Sequence, residues 1–582
     1  MSTRTTRPST LTSGDLAFPA LLTSLALAFL LFAWTWGALA ALAVGHGPPV
    51  GLLDAGGALL RLPFHADDPA RAFAADGHGL PGPAVMWAAF LATIALGWTA
   101  VILLIPRLAD RLGHHRPGPW ARWAKPRDLH ALMVRPGQHG DRTILGSVAG
   151  RPVAAERQVS TIVIAPTRSG KTSGLMIPAI LEHQGPVIAT SVKGDLLATA
   201  AHRQTMGEVR VFDPTGATGW PASGWSPVAA SQTWLGARRT ADRLLRQARQ
   251  GNGSHTDFWQ GMGMRFLAPL LFAAAQGGAS MRDVLRWVEL VQQDEPRAAL
   301  QSVAETAEGF GALTSLESLW REDHRIRGSV VQTVATALEA YQDAGVMQAA
   351  SRHDITADWL LDPARHHTLY VIAPADDQER LEGVFAALLT DLIAAAFAKA
   401  TEQGRPLDPV LQCVLDEAPY IARLPNLARI ASTGAGEGIR LLTAAQTMSQ
   451  FVERWGQAEA ETIIAGHPSR IFGAGLSDPT SLSYLRTALG DEEIQTLTHR
   501  GGLGQTDRTH ATTFRPLVDG PTARQRDRTT GILVYGTLPP ARLRLRPWFQ
   551  DRRLRKMVET TSPATRTAHA AGRPGTEEAD AR

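Results

Sequence analysis

The sequence predicts an α/β protein with a parallel-rich central sheet, a block of helices inserted into the sheet part, and two apolar helices ahead of it. Three observations support this class of fold. Apolar runs that end in polar residues recur after position 126, as is typical of strands in a doubly wound parallel sheet. Helical patterns replace strand patterns between positions 230 and 365, and two long apolar stretches precede position 106. At 582 residues the chain is long enough for about two or three folded units.

The two apolar stretches near the N-terminus are long enough to cross a lipid bilayer. They cover residues 16–44 and 83–105, and a membrane-spanning helix needs about 20 predominantly apolar residues. The first stretch could be a signal peptide, but its apolar run is too long for one and a second stretch follows it. We therefore interpret residues 1–125 as a retained membrane anchor with an extracytoplasmic loop at 46–82.

Basic residues are unevenly distributed around these stretches. The connecting loop holds only Arg61 and Arg71. The outer flanks hold Arg4, Arg7, Arg107, Arg111, Arg116, Arg122, Lys125 and Arg127. Because basic flanks tend to remain in the cytoplasm, we expect a multi-pass protein of the cell membrane with two spans, and with both termini and the sheet part in the cytoplasm.

A buried strand, a tight loop and a helix start follow one another in residues 161–180, TIVIAPTRSGKTSGLMIPAI. This is the context of a P-loop, in which backbone N–H groups and a helix N-terminus surround the phosphates of a nucleotide. A strand-turn-helix unit with a chance lysine is the alternative, which the flanking strand and helix disfavour. The residues that we expect to bind the nucleotide are Ala165, Pro166, Thr167, Arg168, Ser169, Gly170, Lys171 and Thr172.

Three of these residues bear on the chemistry individually. Lys171 is expected to reach the β- and γ-phosphates of ATP, and the Thr172 hydroxyl to ligate Mg²⁺. Ala165 stands where the first glycine of a P-loop usually lies. We expect the small side chain of alanine to permit the tight turn of the P-loop as well.

A second strand, at 410–415 within PVLQCVLDEAPYI, ends at Asp416 and Glu417. Ligands of open α/β sheets bind at the carboxyl ends of strands, so we predict that Asp416 holds Mg²⁺ and that Glu417 is the general base for the attacking water. Two acids at a strand end are also a common solvated turn, but the P-loop favours the catalytic interpretation.

A third strand, at 438–446, ends at Gln446. We predict a third catalytic residue there, a polar sensor as in RecA-like motors, with a loop or helix-capping glutamine as the alternative.

The remaining patterns divide the chain after the anchor. Strand and helix patterns at 185–216 and 368–397 predict one sheet domain made from 126–229 and 366–550, interrupted by an all-α block at 230–365. The tail, 551–582, lacks periodicity, and we predict that it is disordered. Cys413 is the only cysteine, which excludes a disulfide within the chain, and the net charge of +4 is weak evidence for nucleic-acid binding.

Several further motifs occur in an order seen in one protein family. They are TSVKGDLLATAAHRQ, VFDPTG, GWSPV, DFWQGMGMRFLAPLLFAAA, TLYVIAPADD and LPPARLRLRPWF. From residue 1 to about 550 the chain resembles the coupling proteins of type IV secretion systems, especially those of the Gram-positive, conjugation-associated branch. The resemblance implies a membrane-anchored, RecA-like P-loop ATPase with an inserted all-α domain, using ATP and Mg²⁺.

The resemblance also implies a function and partners. Such proteins assemble as homo-hexamers, bind DNA without sequence preference, and deliver a relaxase–DNA complex or a secreted protein to the components of the secretion channel. Two alternatives remain open, a nucleotide-dependent receptor that does no pumping and a chromosome-partitioning DNA translocase. Some family members carry an arginine near positions 435–437 that acts across the subunit boundary, but this chain has Ala435, Gly436 and Glu437. The candidate replacements are Arg440, Arg423 and Arg470.

Overall fold

The structure, a computed structural model, describes residues 17–47, 51–73, 80–112, 121–135, 137–247, 254–421, 424–502 and 505–561. The chain divides into two compact units, Met1–Gly118 and Pro119–Arg582. Some of the predictions fall outside the described ranges. These are the ones that concern Arg4, Arg7, Arg116, Arg423 and the tail from residue 562 onward.

The described part of the first unit is helical. Its helices are α1 Ala17–Leu42, α2 Leu52–Arg61, α3 Ala70–Phe73 and α4 Pro83–Leu112. The two long helices, α1 and α4, overlap the predicted membrane spans. They meet at Trp36, whose indole N–H donates to the backbone oxygen of Met86 at 2.8 Å. The ring of Trp36 also packs against Phe73 and Phe90, with centroid distances of 4.9 and 5.0 Å, so this tryptophan joins helices within the unit.

The described apolar stretches of α1 and α4 are shorter than the membrane spans predicted from the sequence. Within the described residues, one helical stretch, Ala375–Gln403, is long and apolar enough to cross a bilayer, but 61% of its apolar window is buried inside the protein. It is therefore suited to the core of the second unit. The N-terminal helices contribute the shorter apolar stretches Leu27–Leu42 and Pro83–Thr99. The two-span topology stays a prediction.

The described part of the second unit is built on a mixed sheet of eleven strands. The strands of the unit, in chain order, are β1 Ile144–Val148, β2 Arg151–Ala154, β3 Thr161–Ile164, β4 Val187–Ser191, β5 Val209–Phe212, β6 Thr368–Ile372, β7 Leu411–Leu415, β8 Ile439–Ala445, β9 Ser469–Gly473, β10 Asp491–Gly502, β11 Gln505–Pro516, β12 Thr530–Tyr535 and β13 Ala541–Arg544. The sheet has the order β2-β1-β13-β12-β9-β3-β8-β7-β4-β6-β5. Among the described residues, β10 pairs only with β11, in a separate ribbon.

Seven neighbouring strands of this sheet, from β9 to β5, run parallel, and the four strands on the other side of β9 pair antiparallel. The predicted α/β class with a parallel-rich sheet is therefore confirmed. The central strands β3, β7 and β8 are buried along their whole length. Helices cover both faces of a parallel sheet, which explains why these strands are continuous apolar runs in the sequence.

The three strands with the predicted site residues are close together. β3 lies between β9 and β8, and β7 pairs with the other side of β8. Ile164 at the end of β3 is opposite Ala445 at the end of β8, and Leu415 at the end of β7 is opposite Thr443. The residues that follow these strands therefore emerge side by side at one edge of the sheet.

The helices of the second unit pack on the sheet or form the inserted block. They are α5 Ile177–Glu182, α6 Ala200–Arg203, α7 Trp234–Gln247, α8 Ser254–Gly277, α9 Met281–Glu289, α10 Asp294–Gln301, α11 Ala307–Trp320, α12 His324–Leu338, α13 Ala344–Ala350, α14 Ala357–Leu360, α15 Gln378–Gln403, α16 Ala418–Ile421, α17 Leu427–Thr433, α18 Ser449–Trp455, α19 Gln457–Ala465, α20 Pro479–Leu489, α21 Gly520–Arg524 and α22 Arg552–Thr561.

Helices α7 to α14 occupy the stretch 230–365, which the sequence predicts to be helical. Side-chain caps begin several of them, because Thr306, Asp323 and Asp343 each accept a backbone N–H from the first turn. Phe266 of this block belongs to the same apolar core as Ile188 of the sheet. The block and the sheet thus bury a common core and form one compact unit.

The C-terminal tail begins differently from the prediction. Residues 552–561 of the predicted disordered tail, 551–582, form helix α22. Leu554 of this helix is fully buried in the core that also contains Leu175 and Leu181. The apolar contact supplies the stabilisation that the polar composition of the tail does not suggest.

Candidate functional site

The loop between β3 and α5 has the backbone geometry of a phosphate cradle. Arg168 and Gly170 have positive φ angles of 60° and 83°, which turn successive N–H groups towards one side. The N–H groups of Thr167, Arg168 and Gly170 have no acceptor within the described part of the chain. A π-helical turn, Thr172–Met176, then leads into α5. The loop is thus open to an anionic ligand at its backbone donors.

Ala165 fits the start of this loop because of a glycine in a neighbouring strand. Ala165 does not have a positive φ angle, so its backbone conformation does not require glycine. A Cβ atom added to Gly473 of β9 would lie 2.6 Å from the Cβ of Ala165. The space that the alanine methyl group needs is therefore left free by Gly473, and the departure from the usual P-loop glycine has a local compensation.

Lys171 and Glu417 form an ion pair across the sheet edge. The Nζ of Lys171 donates to Oε1 of Glu417, and the side-chain amide of Gln446 donates to the same oxygen at 3.3 Å. Lys171 is 7% exposed. Glu417 has a positive φ of 55°, an uncommon conformation for a residue with a side chain, and such strain is frequent at functional sites. The structure thus brings together all three predicted catalytic residues.

Thr172 and Asp416 form the second contact between the P-loop and the acidic strand. The Thr172 hydroxyl donates to Oδ2 of Asp416 at 2.9 Å. Burial raises the pKa of Asp416 to about 6, although the charge of Lys171 and the Thr172 hydrogen bond both oppose this increase. Oδ1 of Asp416 and Oε2 of Glu417 are buried without a hydrogen-bond partner among the described residues. Free carboxylate oxygens beside a threonine hydroxyl are the hard ligands that Mg²⁺ prefers, so the residues present fit this ion.

Asp416→Asn is expected to stabilise the nucleotide-free protein at pH 8. The native pKa of Asp416, about 6, exceeds its ordinary value of 3.8, so ionisation destabilises the fold as the pH rises from 3.8 through 6. A shift of about two pKa units corresponds to ~3 kcal/mol. The asparagine variant should therefore melt at a higher temperature at pH 8, and this difference should shrink towards pH 5. A melting temperature below that of the unmodified protein at pH 8 would contradict the burial of an ionised Asp416.

The sequence did not identify a glutamine and a tyrosine that hold the backbone at Gln446, the predicted sensor. Gln450 of α18 accepts the backbone N–H of Gln446 at 2.9 Å, and its amide donates to the hydroxyl of Tyr420 of α16 at 3.1 Å. Arg454 donates to the backbone oxygen of Pro419 at 2.8 Å and pairs with Glu382 of α15 at 2.6 Å. These contacts join the helix after Glu417 to the helix after Gln446. The only signal in the sequence is the four-residue spacing of Gln446 and Gln450.

Two of the three candidate trans-acting arginines are engaged within the chain. Arg440 is buried, donates to Oε1 of Gln412 at 2.6 Å, and lies 3.5 Å from Oδ1 of Asp141. Arg470 donates to the backbone oxygen of Ile464 at 3.0 Å, near the end of α19. Arg440 is thus held among buried partners, whereas Arg470 is half-exposed and contacts only backbone oxygens among the described residues.

Arg440→Ala is expected to destabilise the fold by about 1–3 kcal/mol, because Oε1 of Gln412 and the backbone oxygens of Asp141 and Arg157 would lose a charged donor. Asp141, which is half-buried, would keep two neighbours. They are Arg157 at 3.2 Å and His183, whose own pKa is lowered to about 4 by burial. The melting temperature measures this loss. A variant with unchanged stability that no longer hydrolyses ATP would instead support a trans-acting role for Arg440.

Two of the motifs that carry the family resemblance have different positions relative to the site. They are Lys193-Gly194-Asp195 and Phe212-Asp213-Pro214. Asp195 lies near enough to Asp416 for its charge to contribute to the raised pKa of that carboxyl group. Asp213, in contrast, is buried and accepts hydrogen bonds from Thr215 and from the backbone and side chain of Thr218. These bonds lower the pKa of Asp213 against the effect of burial. Asp213 therefore organises the turn after β5.

Comparisons with known proteins place this chain among proteins of conjugative DNA transfer. A family model described as type IV secretory system conjugative DNA transfer matches residues 137–572. The protein VirD4 of Agrobacterium fabrum is 23% identical over 486 residues, which cover 79% of this chain and 70% of that protein. The conjugal transfer protein TraG of Escherichia coli is 25% identical over 482 residues, which cover 74% of each chain.

Solved structures show the shared fold. The plasmid coupling protein TrwB in complex with ADP and Mg²⁺ has a TM-score of 0.56 and 19% sequence identity, over 74% of this chain and 96% of that chain. The unbound monoclinic form of the bacterial conjugative coupling protein TrwBdeltaN70 also has a TM-score of 0.56, with 18% identity and 95% of that chain covered. The predicted RecA-like α/β P-loop fold is therefore confirmed.

Proposed function

Because this chain belongs to the type IV secretory system conjugative DNA transfer family, we propose that it is an ATPase that couples DNA to a secretion or conjugation channel and drives its transfer. One observation carries the ATPase part of the proposal. Lys171, Glu417 and Gln446, from three separate segments, share one hydrogen-bonded cluster beside Asp416 and Thr172. This cluster combines a phosphate-binding cation, a general base and oxygen ligands for a metal ion.

The related TrwB structures support the choice of ligand. Complexes of that protein contain ADP with Mg²⁺, a non-hydrolysable GTP analogue and a non-hydrolysable ATP analogue. We infer ATP and Mg²⁺ for this chain, bound by residues 165–172 with Thr172 and Asp416 next to the metal ion. When bound, Mg²⁺ supplies positive charge that stabilises the charge developing on the transferred phosphoryl group.

The residues of the cluster would change partners when ATP binds. Lys171 would leave Glu417 for the β- and γ-phosphates, since these carry more negative charge than one carboxylate. Glu417 would then be free to accept a proton from the attacking water. Gln446, whose backbone N–H is fixed by Gln450, would hold Glu417 or that water in position. The unliganded ion pair thus keeps the base occupied until the nucleotide arrives.

The partners follow from the family and remain proposals. They are DNA bound without sequence preference, a relaxase complex or a secreted protein as cargo, the components of the secretion channel, and five further copies of the chain in a homo-hexamer. The names of the relatives, which mention conjugation and plasmid coupling, support the DNA cargo. The apolar stretches of α1 and α4 support a membrane anchor.

The test of this function is ATP hydrolysis by the full chain in lipid nanodiscs, with and without DNA. We expect DNA of any sequence to raise the turnover rate, and we expect this stimulation to weaken as the salt concentration rises, because phosphate contacts release counterions. Arg157→Ala serves as a control for charge loss, since Arg157 pairs with Asp141 and Asp408 outside the cluster. An absence of hydrolysis under all conditions would support the receptor alternative instead.

Reporter fusions are expected to place residues 46–82 outside the cytoplasm and all residues after 107 inside it. The reason is the distribution of arginines around the two apolar stretches, together with the need of the P-loop for cytoplasmic ATP. Fusions of alkaline phosphatase and of a fluorescent protein at the same positions report the two sides independently. Cytoplasmic fluorescence from a fusion within 46–82 would overturn the anchor model.

A further inference from the structure

A basic cavity lies between the helical block and the sheet. Its volume is about 170 Å³, and its walls come from α7, α15 and the segment that contains α17. None of its lining residues belongs to the nucleotide site. Four of them are arginines, namely Arg239, Arg243, Arg246 and Arg429. No aromatic side chain lines it in the part of the chain that the structure describes.

The acidic groups near this cavity do not balance its arginines. Arg243 pairs with Asp391 of α15, and Arg246 pairs with Asp242 of its own helix at 2.8 Å. Arg239 has no ion pair or hydrogen bond to its side chain within the described ranges. Arg429 lies over the ring of Phe397 at 4.8 Å and contacts no described carboxylate. Four arginines against two aspartates leave an excess of two positive charges at the cavity.

The arginines of α7 are spaced along one face of the helix. Arg239, Arg243 and Arg246 are separated by four and three residues, which places them on the same side of a helix. Arg243 and Arg246 are then ~6 and ~10 Å along the helix axis from Arg239. These distances are comparable with the spacing of phosphates along an extended nucleic-acid strand. One bound strand would therefore meet the exposed Arg239 and Arg246 at once, whereas Arg243 between them is buried against Asp391.

A buried hydroxyl at the same cavity also lacks a partner. Oγ1 of Thr390 is buried and makes no hydrogen bond to any described residue. Thr390 lines the cavity. Buried polar atoms are nearly always satisfied in native proteins, so an unpaired hydroxyl beside unpaired cations indicates a ligand with acceptor oxygens. A phosphate group has such oxygens and a complementary charge.

We propose that this cavity binds the phosphate backbone of a nucleic-acid strand, independently of its sequence. The proposal rests on the proposed function, and it adds the place where the strand contacts the protein. Arginines that bind phosphates carry no base information, and the absence of a described aromatic side chain in the lining gives the bases no surface for stacking. The site would therefore hold any sequence, as a transfer protein requires.

The first test measures the binding of fluorescent single-stranded oligonucleotides of two unrelated sequences to the full chain in nanodiscs of uncharged lipid. Arg239→Ala and Arg429→Ala should each weaken binding of both sequences by about 3- to 10-fold at low salt. Each should also reduce the slope of log Kd against log salt concentration by about 1. Arg282→Ala is the matched control, because Arg282 is an exposed arginine of the same helical block outside the cavity. It should change neither quantity.

The outcomes separate this proposal from the function on which it rests. If the unmodified chain binds DNA with a salt dependence and both cavity variants keep its affinity and slope, the cavity is not the contact site, although the proposed function stands. If the unmodified chain binds no DNA, the proposed function itself fails. Displacement of the oligonucleotide by inorganic phosphate, but not by sodium chloride of equal ionic strength, would assign the cavity to free phosphate and overturn the proposal.

A second variant, Thr390→Val, distinguishes binding from folding. Valine has nearly the same shape as threonine and removes the unsatisfied hydroxyl, so the melting temperature without DNA should stay the same or rise. DNA affinity should nevertheless fall about 2- to 5-fold, because a phosphate oxygen loses a donor. A variant with unchanged DNA affinity would show that Thr390 does not face the ligand and would count against the proposed site.

Discussion

Glu417→Gln is expected to lower the rate constant of ATP hydrolysis by about 10²- to 10⁴-fold, which is the usual contribution of a general base. An amide cannot accept the proton of the attacking water, but it has the same shape as the carboxyl group. The P-loop would be unchanged, so ATP binding should persist. Affinity for ATP should even increase. In the unmodified, nucleotide-free protein Lys171 pairs with Glu417, whereas in the variant Lys171 has no such ion pair to break before it binds the phosphates.

Single-turnover hydrolysis and equilibrium binding of a fluorescent ATP analogue to the full chain measure the two effects separately. Glu453→Gln provides the matched control, since it is the same substitution at an exposed position of α18 outside the cluster. The control should hydrolyse ATP at the unmodified rate. Full hydrolysis by Glu417→Gln would exclude Glu417 as the base.

The site residues that directly follow a strand were predictable from the sequence. The predicted strand 161–164 agrees with β3, and the predicted strands 410–415 and 438–446 agree with β7 and β8 to within one residue at each end. In a parallel sheet the carboxyl ends of all strands lie at the same edge. The position of Lys171, Glu417 and Gln446 at one edge of the sheet therefore follows from strand direction. Their proximity depends in addition on the strand order, in which β3, β8 and β7 are neighbours.

The same reasoning shows why Arg440 was a poor candidate for a trans-acting cation. Arg440 is near the start of β8, whereas Gln446 follows its end. Six residues of extended strand cover ~20 Å, so Arg440 lies towards the opposite edge of the sheet from Lys171, Glu417 and Gln446. Its burial against Asp141 and Gln412 is consistent with that position.

Contacts between distant segments could not be derived from the sequence. The space for Ala165 depends on Gly473, and the position of Gln446 depends on Gln450 and Tyr420. These contacts depend on how helices and neighbouring strands pack, and no local propensity or spacing encodes that packing. The helix α22 is a similar case, because Leu554 gains its stabilisation from core residues far away in the chain.

Lys171→Ala is expected to have the largest effect on binding and stability together. Hydrogen bonds to charged groups contribute about 1.5–3 kcal/mol each, so affinity for ATP should fall at least about 10-fold. The nucleotide-free protein should also lose stability. Lys171 and Glu417 are mostly buried, with side-chain exposures of 8% and 13%, and removing one partner of a buried ion pair costs about 3–5 kcal/mol. Asp416 would lose the same nearby cation.

The double variant Lys171→Ala, Glu417→Gln separates these two losses. Without Lys171, Glu417 is a buried carboxylate whose remaining described donor is Gln446, and replacing it with a neutral amide removes the unpaired charge. The melting temperature of the double variant should therefore exceed that of Lys171→Ala alone, whereas its affinity for ATP should stay low because the cation is still missing. If the second substitution lowered the melting temperature further, the two effects would be independent, and the ion pair that holds the base in the nucleotide-free protein would not exist in solution.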